Sequence, residues 1–155
     1  MNHPETSLQC SCVAWFRLQY PEYSRLLFHV KNEEKGGRVS GAIYKGAGVV
    51  PGVPDLILSI PATSKDKTLH FNSLGIELKS GKNKQNENQK IFQRFFEASG
   101  SVYIVVRSLD DFIAVITTYM MCALNLDSIK EAYNETERLQ ASSNLKYFHR
   151  FLKYI

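Results

Sequence analysis

The amino-acid sequence predicts a single mixed α/β domain with a central sheet flanked by helices. Short apolar runs bounded by glycine, proline and polar turns alternate along the chain with longer segments of helical periodicity, as in other domains of this class. The chain has 155 residues, which is enough for one domain with a buried core and too few for two. We expect a core domain over 1–125 and a helical extension over 126–155 that packs on it.

Helical periodicity predicts four substantial helices and one short one. In the first, the second and the last of the longer helices, apolar side chains recur at the spacing that places them on one face, and the short segment is stopped by Gly46 and Gly48. The first ends before Pro21, because proline cannot continue a helix. The predicted helices cover 5–20, 89–99, 109–124 with a cap near Asp110, the tail 127–155, and a short segment over 38–47.

Short apolar runs with glycine or proline at their ends predict the strands. The run over 101–108 has the pattern of the most clearly buried strand in the chain. The runs over 54–60 and 69–79 flank a polar turn and predict a hairpin, with an irregularity at 73–75. A further strand is predicted over 25–30.

Charge is spread unevenly along the chain. A formal net charge of +4 permits a polyanionic partner without requiring one. Lys82, Lys84 and Lys90 fall close together, and such clusters are more often a solvated face than a binding surface. They are nevertheless the candidate contacts to a nucleic-acid backbone.

Cysteine usage and hydropathy indicate the compartment. The chain has 3 cysteines, an odd number with no C-x-x-C pair, which favours inert thiols over a disulfide framework or a zinc site. The first residues are polar and no apolar run approaches the length that spans a bilayer. We therefore expect an intracellular, cytoplasmic protein.

Two carboxylates lie within the predicted hairpin. If the strands pair about the middle of the polar turn, Asp55 lies opposite Glu77 and Leu56 lies opposite Ile76. Side chains alternate along a strand, so Asp55, Glu77 and Lys79 share one face. A bulge near Gly75 would shift this register by one residue.

Two opposed carboxylates in apolar strands require a compensating charge. At about 5 Å their repulsion is about 3 to 4 kcal/mol at an effective dielectric of 20. A divalent cation between them turns repulsion into attraction, and oxygen ligands suit Mg²⁺ or Mn²⁺. Such a cation can polarise a phosphoryl oxygen, while Lys79 steadies the phosphate or the attacking water. The alternative is a salt bridge between Glu77 and Lys79 at a sheet edge.

Three sequence segments resemble a known nuclease family. The segments GVVPGVPDLIL, GIELKSGK and NENQ, in that order, are similar to those of the VRR-NUC domain, a branch of the PD-(D/E)XK nuclease superfamily. The segments ETSLQ and LFHVKNE upstream also match, so the resemblance spans roughly 5–120. It implies the restriction-endonuclease-like fold, a central mixed sheet with helices on both sides, and metal-dependent cleavage of DNA.

The resemblance also assigns roles to individual residues. It implies that Asp55, Glu77 and the carbonyl of Leu78 bind Mg²⁺ or Mn²⁺ and that Lys79 is the catalytic lysine. Glu5 would be an additional acid from the first helix, and the last site residue would be a glutamine. That glutamine is Gln89, on the helix after the core strands.

Several matched residues have a plain structural alternative. Glu5 could complement the dipole of its helix, and Gln89 could form a capping box with Asn86. We expect His29 to be a satisfied core residue and not a ligand, and the role of Asn32 stays open.

The sequence also departs from the family in places. Ser73 and Gly75 stand where the family often has glycine and a bulky residue, respectively. Stand-alone members resemble Holliday-junction resolvases, which implies a homodimer acting on branched or four-way DNA in repair, often in bacterial or phage systems. The alternative is a non-catalytic DNA-binding or assembly module that keeps the fold.

Overall fold

The computed structural model describes residues 4–30, 46–64, 66–124 and 126–151, with side chains as far as 138. The predicted short helix over 38–47 falls mostly outside this part, and Asn32 lies wholly outside it. The helices are α1 (Pro4–Gln19), α2 (Glu87–Ala98), α3 (Leu109–Met120) and α4 (Leu126–Phe151), with a 3-10 helix at Pro21–Leu26. The strands are β1 (Leu27–His29), β2 (Leu56–Leu58), β3 (Ala62–Thr63), β4 (His70–Phe71), β5 (Leu74–Leu78) and β6 (Val102–Val106).

The central sheet is mixed, as the sequence predicts. Its strand order is β1-β2-β5-β6, with antiparallel pairing from β1 to β5 and a parallel pair of β5 with β6. Within the hairpin, Leu56 pairs with Ile76 and Leu58 pairs with Leu74. The predicted register is therefore confirmed, and one residue further along it places Asp55 opposite Glu77.

The second hairpin strand is broken, and the break lies just before Gly75. Strands β3 and β4 form a separate two-stranded sheet in which Ala62 pairs with Phe71, a register shifted by one from the main sheet. Asn72 separates β4 from β5, because it is bound to the turn before β6 instead of to the neighbouring strand. Its backbone N–H donates to Gly100 O at 2.8 Å, and its side-chain amide donates to Ser99 O at 2.7 Å. The break at 72–73 thus overlaps the predicted irregularity at Ser73, while Gly75 itself pairs regularly.

One face of the sheet carries the main core. Leu56, Ile76 and Leu78 are buried in one cluster with Phe16 of α1 and Phe112 of α3. All five positions of β5 are buried, whereas only two of the five in β6 are. The prediction that 101–108 is the most clearly buried strand is therefore wrong. Strand β6 lies at the end of the strand order and β5 lies between two neighbours.

Helix α2 covers the opposite face above Gly75. A Cβ on Gly75 would lie 2.9 Å from Phe96 Cε1 and 2.9 Å from Pro54 Cγ, closer than real Cβ contacts. Phe96 also meets Tyr103 edge-on, with ring centroids 6.5 Å apart. The absence of a side chain at Gly75 lets α2 lie close to the strand that carries Glu77.

Smaller differences concern caps and cysteines. Helix α3 is capped by Ser108, whose hydroxyl accepts from Asp111 N at 3.1 Å, so the predicted cap near Asp110 is displaced. All three cysteines are free, and burial raises the pKa of Cys12 to about 11, which keeps this thiol inert. Cys10 is exposed, so it is not a buried thiol, and the expectation that it is inert stays a prediction.

Helix α4 begins where the helical extension was expected. Leu126 and Ile129 in its first turns pack against the core. The helix also contacts the 3-10 helix. The division of the chain at 125/126 stays a prediction. Within the described ranges, no helix combines the length and the apolar character needed to cross a bilayer.

Candidate active site

Asp55 lies at the mouth of β2, where a tight turn brings the chain against α2. Gly52 has φ +87°, and a Cβ there would lie 2.3 Å from the backbone oxygen of Asn88. Only glycine tolerates both the conformation and the contact. The turn therefore fixes the approach of Asp55 to the N-terminal end of α2.

The carboxylate of Asp55 is bound to the neighbouring strand. Its Oδ2 accepts a hydrogen bond of 2.7 Å from the backbone N–H of Leu78, while Oδ1 accepts none from the described residues. Burial raises the pKa of Asp55, and the Leu78 N–H and the charge of Lys79 offset this only in part. The group has a fixed orientation and one oxygen available to a ligand.

The carbonyl of Leu78 points towards Asp55 and has no hydrogen-bond donor from the paired strand, because the residue opposite is a proline. In the observed register, the residue opposite Leu78 is Pro54, which has no N–H to donate. The N–H and C=O of one strand residue point to the same side, and the N–H of Leu78 points to Asp55. The Leu78 carbonyl therefore lacks its ladder donor on the side where Asp55 lies.

Glu77 is a buried carboxylate with three side-chain donors. Only 1% of it is exposed, and its Oε1 lies 2.7 Å from Lys79 Nζ and accepts from Gln89 Nε2. Its Oε2 accepts from the hydroxyl of Tyr103 at 3.0 Å. Burial and the charge of Asp55 raise the pKa of Glu77, and Lys79 and Tyr103 counteract that rise.

Lys79 and Gln89 each have the structural role that the sequence offered as an alternative, and each also contacts the candidate site. Lys79 forms the salt bridge to Glu77, yet its side chain is only 11% exposed and lies beside both carboxylates and not at a sheet edge. Gln89 forms a capping box with Asn86, in which each backbone N–H donates 2.9 Å to the other side chain. Its amide nitrogen also donates to Glu77. One side chain thus starts α2 and reaches the site.

Glu5 lies on the other side of the site and binds the loop after β5. Its Oε1 accepts from Ser80 N at 2.9 Å, from Ser80 Oγ at 3.2 Å and from Asn83 Nδ2 at 3.3 Å. Burial alone would raise the pKa of Glu5, but these hydrogen bonds and the charge of Lys79 bring it below its usual value. Glu5 is therefore an ionised group that anchors this loop.

Comparison with known proteins bears on this arrangement. No family model matches the sequence, and no curated protein matches it. A solved structure described as a VRR_NUC domain protein superimposes with a TM-score of 0.64 at 23% identity, over 79% of this chain and 92% of that one. The chain has the fold of a VRR-NUC domain. The predicted resemblance is confirmed at the level of the fold, which is as far as this identity reaches.

The oxygen atoms at the mouth of this VRR-NUC fold fit a hard divalent cation. Among the described residues no group of three or more His, Cys, Asp or Glu side chains could hold a metal ion. A cation bound here would therefore have two carboxylates and the Leu78 carbonyl as its protein donors. A carboxylate has about four acceptor positions, of which Glu77 uses three. Asp55 Oδ1, Glu77 and Leu78 O all retain capacity, so the set fits Mg²⁺ or Mn²⁺.

Tyr103 is a residue of this site that sequence reasoning missed. It lies on β6 directly opposite Gly75, on the face that Glu77 shares, and its hydroxyl binds that carboxylate. Burial and the charge of Glu77 raise the pKa of Tyr103, so the hydroxyl remains a donor. A tyrosine in the middle of an apolar strand needs a partner for its hydroxyl, and this was the available signal.

The remaining candidates lie around the candidate site. Lys82 and Lys84 are exposed, and Lys90 is exposed and bound to Glu87 at 2.6 Å. His29 is exposed on β1, so its expected place in the core is wrong. Its Nδ1 lies 2.7 Å from the backbone oxygen of Asp55, and since a carbonyl can only accept, that nitrogen carries the proton.

Proposed function

We propose that this protein is a metal-dependent DNA endonuclease that hydrolyses phosphodiester bonds. The observation that carries the proposal is the nearly buried group of Asp55, Glu77 and Lys79, in which burial raises the pKa of both acids. Two carboxylates and a cation gathered between two central strands have no evident structural purpose, because buried charges destabilise a fold. Perturbed acids gathered at one site are typical of catalysis.

Asp55, Glu77 and the carbonyl of Leu78 would hold Mg²⁺ or Mn²⁺. When bound, the cation supplies Lewis-acid polarisation of the scissile phosphate and a nucleophile at neutral pH. The likeness in fold to a VRR_NUC domain protein supports this assignment. The N–H of Leu78 keeps Asp55 oriented, so its free oxygen does not have to be ordered when the cation arrives.

The other residues position the substrate and the acids. Lys79 Nζ would donate to a non-bridging phosphate oxygen or hold the attacking water. Its distance of 2.7 Å from Glu77 Oε1 supports this role, because Glu77 is a proposed ligand of the cation. Gln89 and Tyr103 restrict the carboxylate of Glu77 from two sides. Glu5 fixes the loop that leads to Lys82 and Lys84, the proposed backbone contacts.

A cleavage assay tests the proposal. The protein is incubated with Mg²⁺ or Mn²⁺ and linear, flapped and four-way DNA, beside Asp55→Asn and Lys79→Ala. We expect each variant to lose at least about a hundredfold in rate, since each removes a group that acts on the transition state. The matched controls are Asp110→Asn and Lys67→Ala, which change an exposed acid and an exposed base outside the site.

The outcomes separate the two classes of function. Equal cleavage by the wild type and both site variants would contradict the site assignment. DNA binding without cleavage under either metal would favour a non-catalytic DNA-binding or assembly module. A preference for branched or four-way DNA, a homodimer and a role in DNA repair stay predictions, which the substrate panel and a sedimentation measurement address.

A further inference from the structure

Arg107 lies at the end of β6, across Lys79 from Asp55. The parallel ladder pairs Leu78 with Val106 and continues with a hydrogen bond of 3.0 Å from Lys79 N to Val106 O. Arg107 is therefore the next residue beside Lys79, on a strand about 5 Å away, and its side chain starts on the same face. Asp55 precedes β2, the neighbour of β5 on the other side. The three side chains thus form a row across one end of the sheet.

The guanidinium of Arg107 is oriented by the turn that follows β5. Its Nη1 donates to Gly81 O at 2.8 Å. Gly81 has φ +51°, which glycine adopts readily, and the turn closes with a hydrogen bond of 3.1 Å from Asn83 N to Ser80 O. Glu5 also binds this turn, through Ser80 and Asn83. Because the arginine head is already oriented, a ligand that binds it orders less of the side chain.

Arg107 keeps most of its hydrogen-bonding capacity and its charge available. A guanidinium has five N–H donors, and the bond to Gly81 uses one of them. The side chain is exposed, and among the described residues its guanidinium forms no ion pair. Asp111 accepts from the backbone N–H of Arg107, at 3.4 Å, and not from the guanidinium. The planar fork of an arginine suits two oxygens of one phosphate group.

Lys79 and Arg107 differ in what already binds them. Lys79 is 11% exposed and lies 2.7 Å from Glu77, so its charge is directed at the proposed cation site. Arg107 is exposed and bound to the turn that carries Lys82, an exposed cation. A DNA strand whose scissile phosphate meets Lys79 therefore has a second cation beside it, one strand further along the row.

We propose that Arg107 binds the phosphate next to the scissile one on the cleaved DNA strand. Its guanidinium bridges Gly81 O and a non-bridging oxygen of that phosphate, and so sets the position of the strand over Lys79. The inference rests on the proposed nuclease function and adds a substrate-binding residue to it.

Salt-dependent binding in EDTA tests the contact without any cleavage. Fluorescence anisotropy measures the affinity of the full chain for a DNA duplex at several salt concentrations. Each phosphate contact adds about 0.9 to the slope of log K against log salt concentration. Arg107→Gln should reduce this slope by about 0.9 and weaken binding on the order of tenfold. Arg107→Lys keeps the charge and should keep the slope.

Two control variants separate the phosphate contact from general charge and from the turn. Arg25→Gln removes an exposed arginine before β1, at the end of that strand away from Asp55, and should leave the slope unchanged. Asn83→Ala removes hydrogen bonds to Ser80 and Glu5 within the turn but no charge, and should also leave the slope unchanged. Thermal melts verify that each variant is folded.

A neutral phosphate analogue locates the contact in the cleavage reaction. After the cleaved bond is mapped, a methylphosphonate replaces the neighbouring phosphate on each side in turn. At one of the two positions it should raise the KM of the wild type about tenfold and that of Arg107→Gln by less than about twofold, because the variant has already lost the contact. The value of kcat should change little, since the contact is made equally in the ground state and the transition state.

Three results would overturn the proposal. They are an unchanged salt slope in Arg107→Gln, an equal loss of slope in Arg25→Gln or Asn83→Ala, and independent effects of Arg107→Gln and both methylphosphonates on KM. Its failure is distinct from failure of the nuclease function. Cleavage by the wild type with an unchanged slope in Arg107→Gln rejects only the phosphate contact, and a reduced slope without any cleavage rejects only the nuclease.

Discussion

Tyr103 donates a hydrogen bond of 3.0 Å to a carboxylate that is 1% exposed. An acid at that depth needs every donor it has, because an unpaired buried charge is costly. Lys79 and Gln89 both bind the other oxygen of Glu77, so Tyr103 alone fixes Oε2 among the described residues. The hydroxyl therefore fixes the orientation of the Glu77 carboxylate together with Lys79 and Gln89, which bind the other oxygen.

Tyr103→Phe should weaken Mn²⁺ binding and lower the cleavage rate, each by about 10- to 100-fold, because the carboxylate loses its orientation. Calorimetric titration with Mn²⁺ measures the first effect and the cleavage assay the second. The matched control is Tyr119→Phe, which removes another buried hydroxyl, one that donates 2.7 Å to Ile60 O. Unchanged Mn²⁺ affinity in Tyr103→Phe would show that the hydroxyl has no such role.

The sequence predicted contacts between residues only where their strands are joined by a short turn. Asp55 and Glu77 could be matched because a hairpin fixes its own register, and that register is confirmed. Tyr103 could not be matched, because β6 pairs with β5 in parallel across a whole helix, and no turn specifies that register. The roles of the acids stay predictions, since their geometry is known but their chemistry is untested.

At the scale of the elements, the first turn of α2 both starts the helix and supplies a side chain that contacts Glu77. Asn86 and Gln89 cap it, the turn at Gly52 packs against its backbone, and Gln89 reaches Glu77. The helix lies close to the sheet because Gly75 leaves room for Phe96. The sequence predicted the helix and its cap, but the close approach is a tertiary contact that periodicity does not encode.

Gly75→Ala should lower the free energy of unfolding by about 1–3 kcal/mol, because the new methyl group overlaps Phe96 and Pro54. Denaturant unfolding measures it. Gly46→Ala is the control, since a Cβ at Gly46 meets nothing within 4 Å. A loss in Gly75→Ala no larger than in Gly46→Ala would mean that α2 moves away from the sheet without cost.

At the scale of the whole molecule, the site lowers the stability of the fold that contains it. Burial raises the pKa of both Asp55 and Glu77, so the folded protein binds these protons more tightly than the unfolded chain does. As far as these two groups determine it, the free energy of unfolding falls as the pH rises through their raised pKa values. It is lowest at a pH above both raised pKa values, where both acids are ionised.

Asp55→Asn should therefore raise the melting temperature of the metal-free protein at a pH above the raised pKa of Asp55, where the wild-type carboxylate is ionised. The gain over the wild type should shrink as the pH is lowered through the raised pKa of Asp55, where the wild type becomes protonated. Calorimetry in EDTA across this pH range measures both effects. At about 100 times its Kd, Mn²⁺ should stabilise the wild type by about 2.7 kcal/mol and the variant far less. A pH-independent difference would contradict this account, and Asp110→Asn is the exposed control.

Pro54→Ala should leave the fold intact and weaken Mn²⁺ binding, because the new N–H can donate to the Leu78 carbonyl in the observed register. Calorimetric Mn²⁺ titration measures the change, and Pro51→Ala, in the exposed turn, is the control. Unaltered Mn²⁺ affinity in Pro54→Ala would show that this carbonyl is not a ligand.

The backbone hydrogen bond that Pro54 cannot donate to Leu78 suggests how such a domain could lose metal binding during evolution. A lineage under no pressure to cut DNA can repair the ladder with one substitution, gain a backbone hydrogen bond and retain every acid and lysine in its sequence. A descendant of this kind would still show the D…E-x-K pattern, and by the expectation for Pro54→Ala it would bind the cation more weakly. In such a lineage the residue before the first acid, and not the acids, would distinguish an enzyme from a scaffold.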